Sequence, residues 1–241
     1  MNIINSLLNL NRSHSIAIRN VRTLVNETDY LFEITESYLM EYMRFYRLSV
    51  DDINQSYKSF ISIYLNDLKN FNLTRKYPYE LPSKHNINRI DYDIALILSI
   101  FFSPVRAELM NRLIYNSNKF GNNILMIGVG SGIDLEIIRK ACIDSVNISA
   151  YDVSLSKFTK YRKWYNVDLY EEAYHYGYKQ YDSVVAIELL EHLKNPLEFL
   201  EKMVSSVSID GKLIFTTATN MPQFDHFYNF DNESHFESKL L

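Results

Sequence analysis

Three of the six glycines in this chain of 241 residues fall within five positions, in the run Ile124-Leu125-Met126-Ile127-Gly128-Val129-Gly130-Ser131-Gly132-Ile133-Asp134. No other feature limits the fold as strongly. An apolar strand runs into a glycine turn and then into an amphipathic helix. Glycine accepts positive φ and lets main chain approach a ligand with no Cβ in between. The helix behind the turn offers unpaired N–H groups and the positive end of its dipole. Such a turn suits a nucleotide-like ligand that carries a carboxylate or a phosphate. The dinucleotide fingerprint wants a glycine three residues after the second one, where this chain has Ile133. The spacing is Gly-x-Gly-x-Gly instead, and the fingerprint fails.

The rest of the chain sorts itself around that turn. No glycine precedes Gly121. From Glu27 to Leu48 apolar residues recur at helical spacing, among them Leu31, Phe32, Ile34, Tyr38, Leu39, Tyr42, Met43 and Phe45. Ser49 with Asp51 and Asp52 reads as a stop and a new N-cap, and a second helix follows to about Asn70. Pro78 and Pro82 break the pattern; a third helical region runs from about Asp91 to Tyr115, bent or restarted at Pro104. After Gly121 the segments Asn123–Ile127, Val146–Tyr151, Asp182–Ile187 and Lys212–Thr217 read as buried strands. They are separated by helices over Ile133–Cys142, Ser156–Trp164 and Pro196–Val207. Strands that alternate with helices imply crossovers and a mostly parallel sheet. The expected fold class is therefore α/β, a Rossmann-like doubly wound sheet at residues 120–241, behind an all-helical domain at 1–119.

Composition excludes several alternatives. The net charge of −4 argues against a bulk electrostatic grip on nucleic acid. Cys142 is the one cysteine, so neither an intramolecular disulfide nor a cysteine zinc cage is expected, and a reduced, cytoplasmic setting fits. No run approaches the length of a membrane span, and Met1 to Leu10 lacks the charge and cleavage pattern of a secretory signal.

A second functional feature is Asp152, 20 residues beyond Gly132 at the tip of the second expected strand. A carboxylate there can accept from both hydroxyls of a ribose. It can equally cap the next helix, in competition with Ser154.

The third feature is the run Tyr181-Asp182-Ser183-Val184-Val185-Ala186-Ile187-Glu188-Leu189-Leu190-Glu191-His192-Leu193-Lys194-Asn195-Pro196. Together with the glycine turn and Asp152 it resembles the class I S-adenosylmethionine-dependent methyltransferases. It is most similar to the branch of ubiquinone and menaquinone biosynthesis, with Tyr181 where that branch has Phe. Asp210 to Thr217 resembles the family's fifth strand. The resemblance spans about Asn122 to Thr219. It implies that Gly128, Gly130 and Gly132 shape the turn against the methionyl part of the cofactor, and that Asp152 holds its ribose. It further implies that Val153 touches the adenine, that Asp168 meets the adenine amino group after the third strand, and that Glu188 and Leu189 line the pocket near the sulfonium. About 20 residues follow the fifth strand. The family's sixth and seventh strands are therefore not both expected in full.

Methyl transfer is an in-line displacement in which the cofactor supplies the reactive carbon and the protein supplies position and electrostatics. A hydroxyl acceptor needs its proton removed by a base or a metal. His192 is the candidate base, and its alternative is a packing or capping role. Glu188-x-x-Glu191-His192 also resembles the set that, with a later histidine, binds a divalent metal in one methyltransferase subgroup; His226 is the candidate later ligand. Tyr38, Tyr42, Phe45, Tyr46, Tyr57 and Tyr64 are mainly expected in the core, with some free to form an aromatic lid. The helical part is also the expected surface for a homodimer. The expected activity is methylation of oxygen or nitrogen on a small molecule. The rivals are an aminocarboxypropyl transferase on the same fold, a non-catalytic methyltransferase-like partner subunit, and a nucleic-acid methyltransferase.

Overall fold

The computed structural model describes residues 4, 6–7, 12–26, 28–76, 88–175, 179–221, 226–227 and 230–240. The strands are β1 (Asn123–Ile127), β2 (Asn147–Tyr151), β3 (Val167–Tyr170), β4 (Tyr181–Ala186) and β5 (Val207–Phe215). They form one parallel sheet in the order β3-β2-β1-β4-β5. The chain steps outward from β1 through β2 to β3, then returns to the other side of β1 for β4 and β5. The order therefore reverses between β1 and β4, the point where open sheets of this kind hold ligands beyond the carboxyl ends of their strands.

Alternation along β1 decides what covers each face. Ile124 and Met126 point into a core that also contains Ile148 and Ala150 of β2. That core is completed by α6 (Ile133–Ala141) and by helices from the first half of the chain. Those are α1 (Arg12–Leu24), α2 (Thr28–Tyr46), α3 (Val50–Thr74), α4 (Arg89–Phe102) and α5 (Pro104–Tyr115). Leu31, Leu39, Ile97, Leu98 and Phe101 are all fully buried there. Leu125 and Ile127 point the other way, against Val184, Ala186, Leu200 and Phe230. Leu200 belongs to α8 (Pro196–Ser205), and Phe236 of α9 (Glu233–Leu240) packs at the margin of the same cluster. The helical half thus shares one continuous core with the sheet.

Local chemistry sets the boundaries. Ser49 and Asp52 form a reciprocal capping box that starts α3. Ser103 ends α4 with its N–H on Ser99 O, and its hydroxyl accepts from the Arg106 N–H to start α5, with Pro104 in the first turn. The break at Pro104 is therefore a full stop and restart. The proline-rich stretch at 77–82 lies outside the described residues.

Three elements differ from the sequence expectation, the first being β3, which lies outside the four segments read as strands. The helix after β2 is only Lys157–Tyr161, here α7. It stops because Arg162 turns to extended backbone and lays its guanidinium against Tyr38, Trp164 and Phe158, at 4.9 to 5.8 Å from the ring centres. β5 begins at Val207, five residues before the expected start at Lys212. Val207 already pairs with Tyr181, and the register shift before Ser183 absorbs Asp210, at φ 65°. Beyond β5, among the described residues, there is a single bridge from Thr219 to Phe230 and then α9, and no further strand. No described helix is long and apolar enough to cross a membrane.

Asp182 ties the start of β4 to the entry of β1. Gly121 has φ +78°, and the N–H groups of Asn122 and Asn123 both donate to Asp182 Oδ2, at 2.7 and 2.9 Å. One carboxylate at the start of β4 thus fixes the entry to β1.

The turn glycines carry the first test. At Gly132, with φ +82°, a Cβ would stand 2.5 Å from Tyr38 Oη and 2.8 Å from Thr159 Oγ1. At Gly130, with φ +37°, the nearest atoms would be 3.7 Å away. Gly132→Ala should lower stability by about 2–4 kcal/mol, from overpacking plus positive-φ strain. Gly130→Ala should cost about 1 kcal/mol, from the backbone alone. Urea midpoints of the two variants check the difference.

Candidate active site

The glycine turn, the end of β2 and the end of β4 meet at the carboxyl edge of the sheet. The Gly128 N–H donates to Tyr151 O at 2.8 Å, and the Gly132 N–H to Val129 O at 2.6 Å. The three glycines face different surroundings. Gly128 packs on Leu189, whose methyls would be 3.0 and 3.2 Å from a Cβ there. Gly132 is walled by Tyr38 and Thr159, which both donate to Ser131 O, at 2.5 and 2.8 Å. Gly130 alone faces room, bordered by Asp152 and Arg89. The open part of the turn is therefore its middle glycine.

Asp152 points into this corner. Its Oδ2 accepts from the Gly130 N–H at 2.7 Å, and its Oδ1 from the Ser154 N–H at 2.7 Å. Burial pushes its pKa up, while these two backbone bonds and nearby Arg89 hold it down. A carboxylate has about four acceptor positions, so each oxygen keeps one for a hydroxyl. Because Asp152 occupies the Gly130 N–H, a phosphate at this glycine would meet an acid in place of a donor. A neutral or cationic ligand fits better here. Val153 beside Asp152 is exposed, with 74% of its surface accessible.

Asp168 does not belong to this corner. It is the second residue of β3, exposed, and pairs with Ser149, three residues before Asp152. The acid that follows the third strand is Glu171. It accepts from the Leu155 N–H at 3.3 Å and pairs with Lys160 at 2.5 Å. Asp168 lies inside β3, three residues before Glu171, because the strand runs on through Leu169 and Tyr170.

The segment after β4 turns sharply. Glu188 has φ 48°, and its N–H donates to Thr216 Oγ1 at 3.0 Å. A short 3-10 turn at Leu190–His192 follows. Glu191, His192 and His226 then come together, with one ligand-type atom from each within 4.8 Å of the others. Glu188, the fourth candidate, is not among them. Glu191 and His226 are buried, at 1% and 4% exposure, and His192 is partly exposed. Thr217 Oγ1 donates to Glu191 Oε2 at 2.9 Å, and His226 Nδ1 lies 2.8 Å from Met221 O. Burial, reinforced by Glu188, raises the Glu191 pKa to about 7.

Sequence reading offered the helical aromatic residues as a lid and did not find Arg89 and Asp93. Arg89, at the start of α4, bonds Asp93 Oδ1 through Nε at 2.8 Å and Ser154 O through Nη1 at 2.8 Å. Tyr42 donates to Asp93 Oδ2 at 3.2 Å. The four-residue spacing of Arg89 and Asp93 on one helix was visible as an ion pair. Their arrival at Ser154, 65 residues later, had no local signal. Tyr38 and Tyr42 are fully buried walls of the site, and Phe45 is 43% exposed.

Asp93 gives a pH test. Burial raises its carboxyl to about 6 against the pull of Arg89. Between about pH 4 and 6 the folded state then binds more proton at this residue than the unfolded chain does. Its contribution to stability should fall with rising pH across that window, by up to about 1.4 kcal/mol per unit, and level off above it. Subtracting the urea stability of Asp93→Asn from that of the wild type between pH 4 and 7 should isolate this slope.

Comparison with known proteins follows the same lines. Residues 101–236 match the family model described as a methyltransferase domain, which is more than half of the chain. Among curated proteins none matches significantly. Solved structures with a similar fold include coclaurine N-methyltransferase bound to N-methylheliamine and SAH. It is 22% identical with a TM-score of 0.39, over 46% of this chain and 35% of that enzyme. The match thus spans about a third of that relative. The plantazolicin methyltransferase BpumL in complex with SAH is 17% identical with a TM-score of 0.43, over 63% of this chain and 75% of its own. The trans-methyltransferase CalH complex with SAH is 16% identical with a TM-score of 0.35, over 89% and 70%. These likenesses are distant, and the assignment rests on the domain match, which covers the glycine turn, the Asp152 corner and the Glu191 cluster alike: the chain belongs to the methyltransferase-domain family.

Proposed function

We propose that this protein transfers the methyl group of S-adenosylmethionine to an oxygen or nitrogen of a small molecule. The observation that carries this reading is the corner where open Gly130 faces Asp152 across a 2.7 Å hydrogen bond. Bare main chain leaves room for the ligand, and the acid keeps acceptor positions for ribose hydroxyls. Val153 lies beside it for the adenine. Leu189, packed on Gly128, continues the pocket toward β4, with Glu188 next to it. Both follow the switch point, where the sulfonium would sit. The Tyr181 to Pro196 run supports a place near the quinone-biosynthesis branch, and the helical residues 1–119 then act as the cap over the acceptor.

His192 is the proton acceptor in the simplest version. It follows β4 at the ligand edge, and its ring stands 4.8 Å from that of His226 in a perpendicular arrangement. A neutral imidazole there takes the proton of an acceptor hydroxyl as the carbon–oxygen bond forms and the sulfonium leaves as a thioether. A second reading is favoured by the convergence of Glu191, His192 and His226. These three would hold a divalent cation, with Thr217 and Met221 O steadying the outer side of two of them. A bound cation would lower the pKa of an acceptor hydroxyl.

Three measurements test these statements. Calorimetry with S-adenosylhomocysteine should show binding by the wild type, weaker binding by about 1–3 kcal/mol in Asp152→Ala, and none in Gly130→Val with helical content intact. Unchanged affinity in Asp152→Ala removes the residue from the site. The mass of an acceptor incubated with the cofactor separates transfer of methyl from transfer of aminocarboxypropyl. For the second reading, EDTA treatment should abolish turnover and added Mn²⁺ should restore it, while His226→Ala stays inactive in both. Turnover that ignores EDTA leaves His192 as the base.

A further inference from the structure

The chain is acidic as a whole, with a formal net charge of −4, but its cations are not evenly spread. The run Lys157-Phe158-Thr159-Lys160-Tyr161-Arg162-Lys163-Trp164-Tyr165 holds four cations and four aromatic residues and no acid. At the end of α2 the run Arg44-Phe45-Tyr46-Arg47 repeats that mixture. The fold brings the two together: the Phe45 ring lies 5.6 Å from that of Phe158 and 6.3 Å from that of Tyr161. From this juxtaposition we infer that the surface formed by α7 and the end of α2 binds a few nucleotides of single-stranded nucleic acid, with phosphates on the lysines and arginines and a base on Tyr161. The inference goes beyond the methyl-donor reading and does not rest on it.

Two of these cations are already engaged. Arg162 pairs with Glu136 at 2.9 Å and with Glu41 at 3.5 Å, and Lys160 with Glu171 at 2.5 Å. Arg44, Arg47, Lys157 and Lys163 are exposed, and among the described residues no acid lies within ion-pair distance of them. Four free cations around one aromatic platform attract a polyanion, and release of its counterions drives the association. Tyr161 and Tyr165 keep 75% and 64% of their surface exposed, and Phe45 keeps 43%. Rings this open offer faces on which bases stack. The platform is fixed from beneath. Phe158 is buried, Phe45 also packs on Tyr46 with ring centres 4.8 Å apart, and the paired Arg162 lies 5.8 Å from the Phe158 ring. A ring held in place loses little freedom when a base stacks on it.

The composition selects among polyanionic partners. Neither run contains a leucine, isoleucine or valine. A surface that enters a bilayer carries such side chains beside its cations, and an acidic polypeptide makes no use of open ring faces. A single strand uses both cations and rings, since every base has a face that stacks whatever its sequence. The surface also lies on the β2 and β3 side of the sheet, whereas Glu191 and His192 follow β4, on the other side of β1. A strand held here is therefore a binding partner, separate from the small-molecule acceptor. The acidity of the rest of the chain keeps the contact short.

The test is fluorescence anisotropy of a labelled oligouridylate of about 12 nucleotides, titrated with the full chain at several salt concentrations. Four neutralised phosphates predict a slope of about −3 for log affinity against log salt, and a roughly fiftyfold loss between about 50 and 200 mM. Lys157→Gln with Lys163→Gln should flatten that slope by about 1.4, and Lys157→Arg with Lys163→Arg should keep it. Tyr161→Ala should weaken binding roughly ten- to a hundredfold with the slope unchanged, and Tyr161→Phe should restore it. Wild-type protein that ignores the oligomer at the lowest salt overturns the inference, whether or not it binds phosphatidylserine vesicles. Equal binding of polyglutamate of the same charge overturns it too, because charge alone then suffices. So does Tyr161→Ala with wild-type affinity, since no base then rests on that ring.

Discussion

The hydrogen bond from the Gly130 N–H to the Asp152 carboxylate is the constraint around which the ligand edge of this molecule is arranged. It joins the turn after β1 to the loop after β2. It requires a main-chain N–H turned away from the helix that follows and an acid of the right reach. In return it removes the one donor that a phosphate would seek and leaves oxygens that accept from hydroxyls. An acid held at this glycine disfavours a phosphate there.

The helical half is part of that edge. Tyr38 of α2 reaches Ser131 O across the glycine turn, and Arg162 clamps the loop after α7 against Tyr38 with Glu136 at 2.9 Å. Arg106 of α5 pairs with Asp134 in the first turn of α6, which fixes the helix that carries the turn. Arg89 of α4 reaches the loop after β2. The bonds of Tyr38, Arg106 and Arg162 are at least partly buried, where such bonds are stronger than at the surface, and those of Arg89 to Ser154 are exposed. Removal of the helices would expose the apolar face of β1 and β2 and undo the walls of the proposed pocket together.

A large part of the sheet was legible because buried parallel strands are short apolar runs and glycine marks their ends. Asn123–Ile127 was read with its observed bounds, and Val146–Tyr151 differs by one residue. The stop at Ser103 and restart at Pro104, and the cap at Ser49, were equally local, since a side chain and the backbone three residues on decide them. Asp168 was misplaced for the opposite reason. Where β3 ends depends on its pairing with β2, through Tyr151 and Tyr170, and nothing in Val167 to Glu171 alone marks the last paired residue. The start of β5 was missed for a similar reason, since Val207 pairs only because a register shift admits Asp210.

The sequence by itself determined the fold class, the turn at Gly128 to Gly132 and the acid at Asp152. These follow from residue types within a few positions of each other, where backbone preference and hydrophobic period act. Only the tertiary structure decided which glycine faces open space, that Glu191 and His192 gather with His226, and that Arg89 stands beside Gly130. Those outcomes depend on contacts between residues tens of positions apart, and their free energy comes from burial and pairing that no local stretch contains.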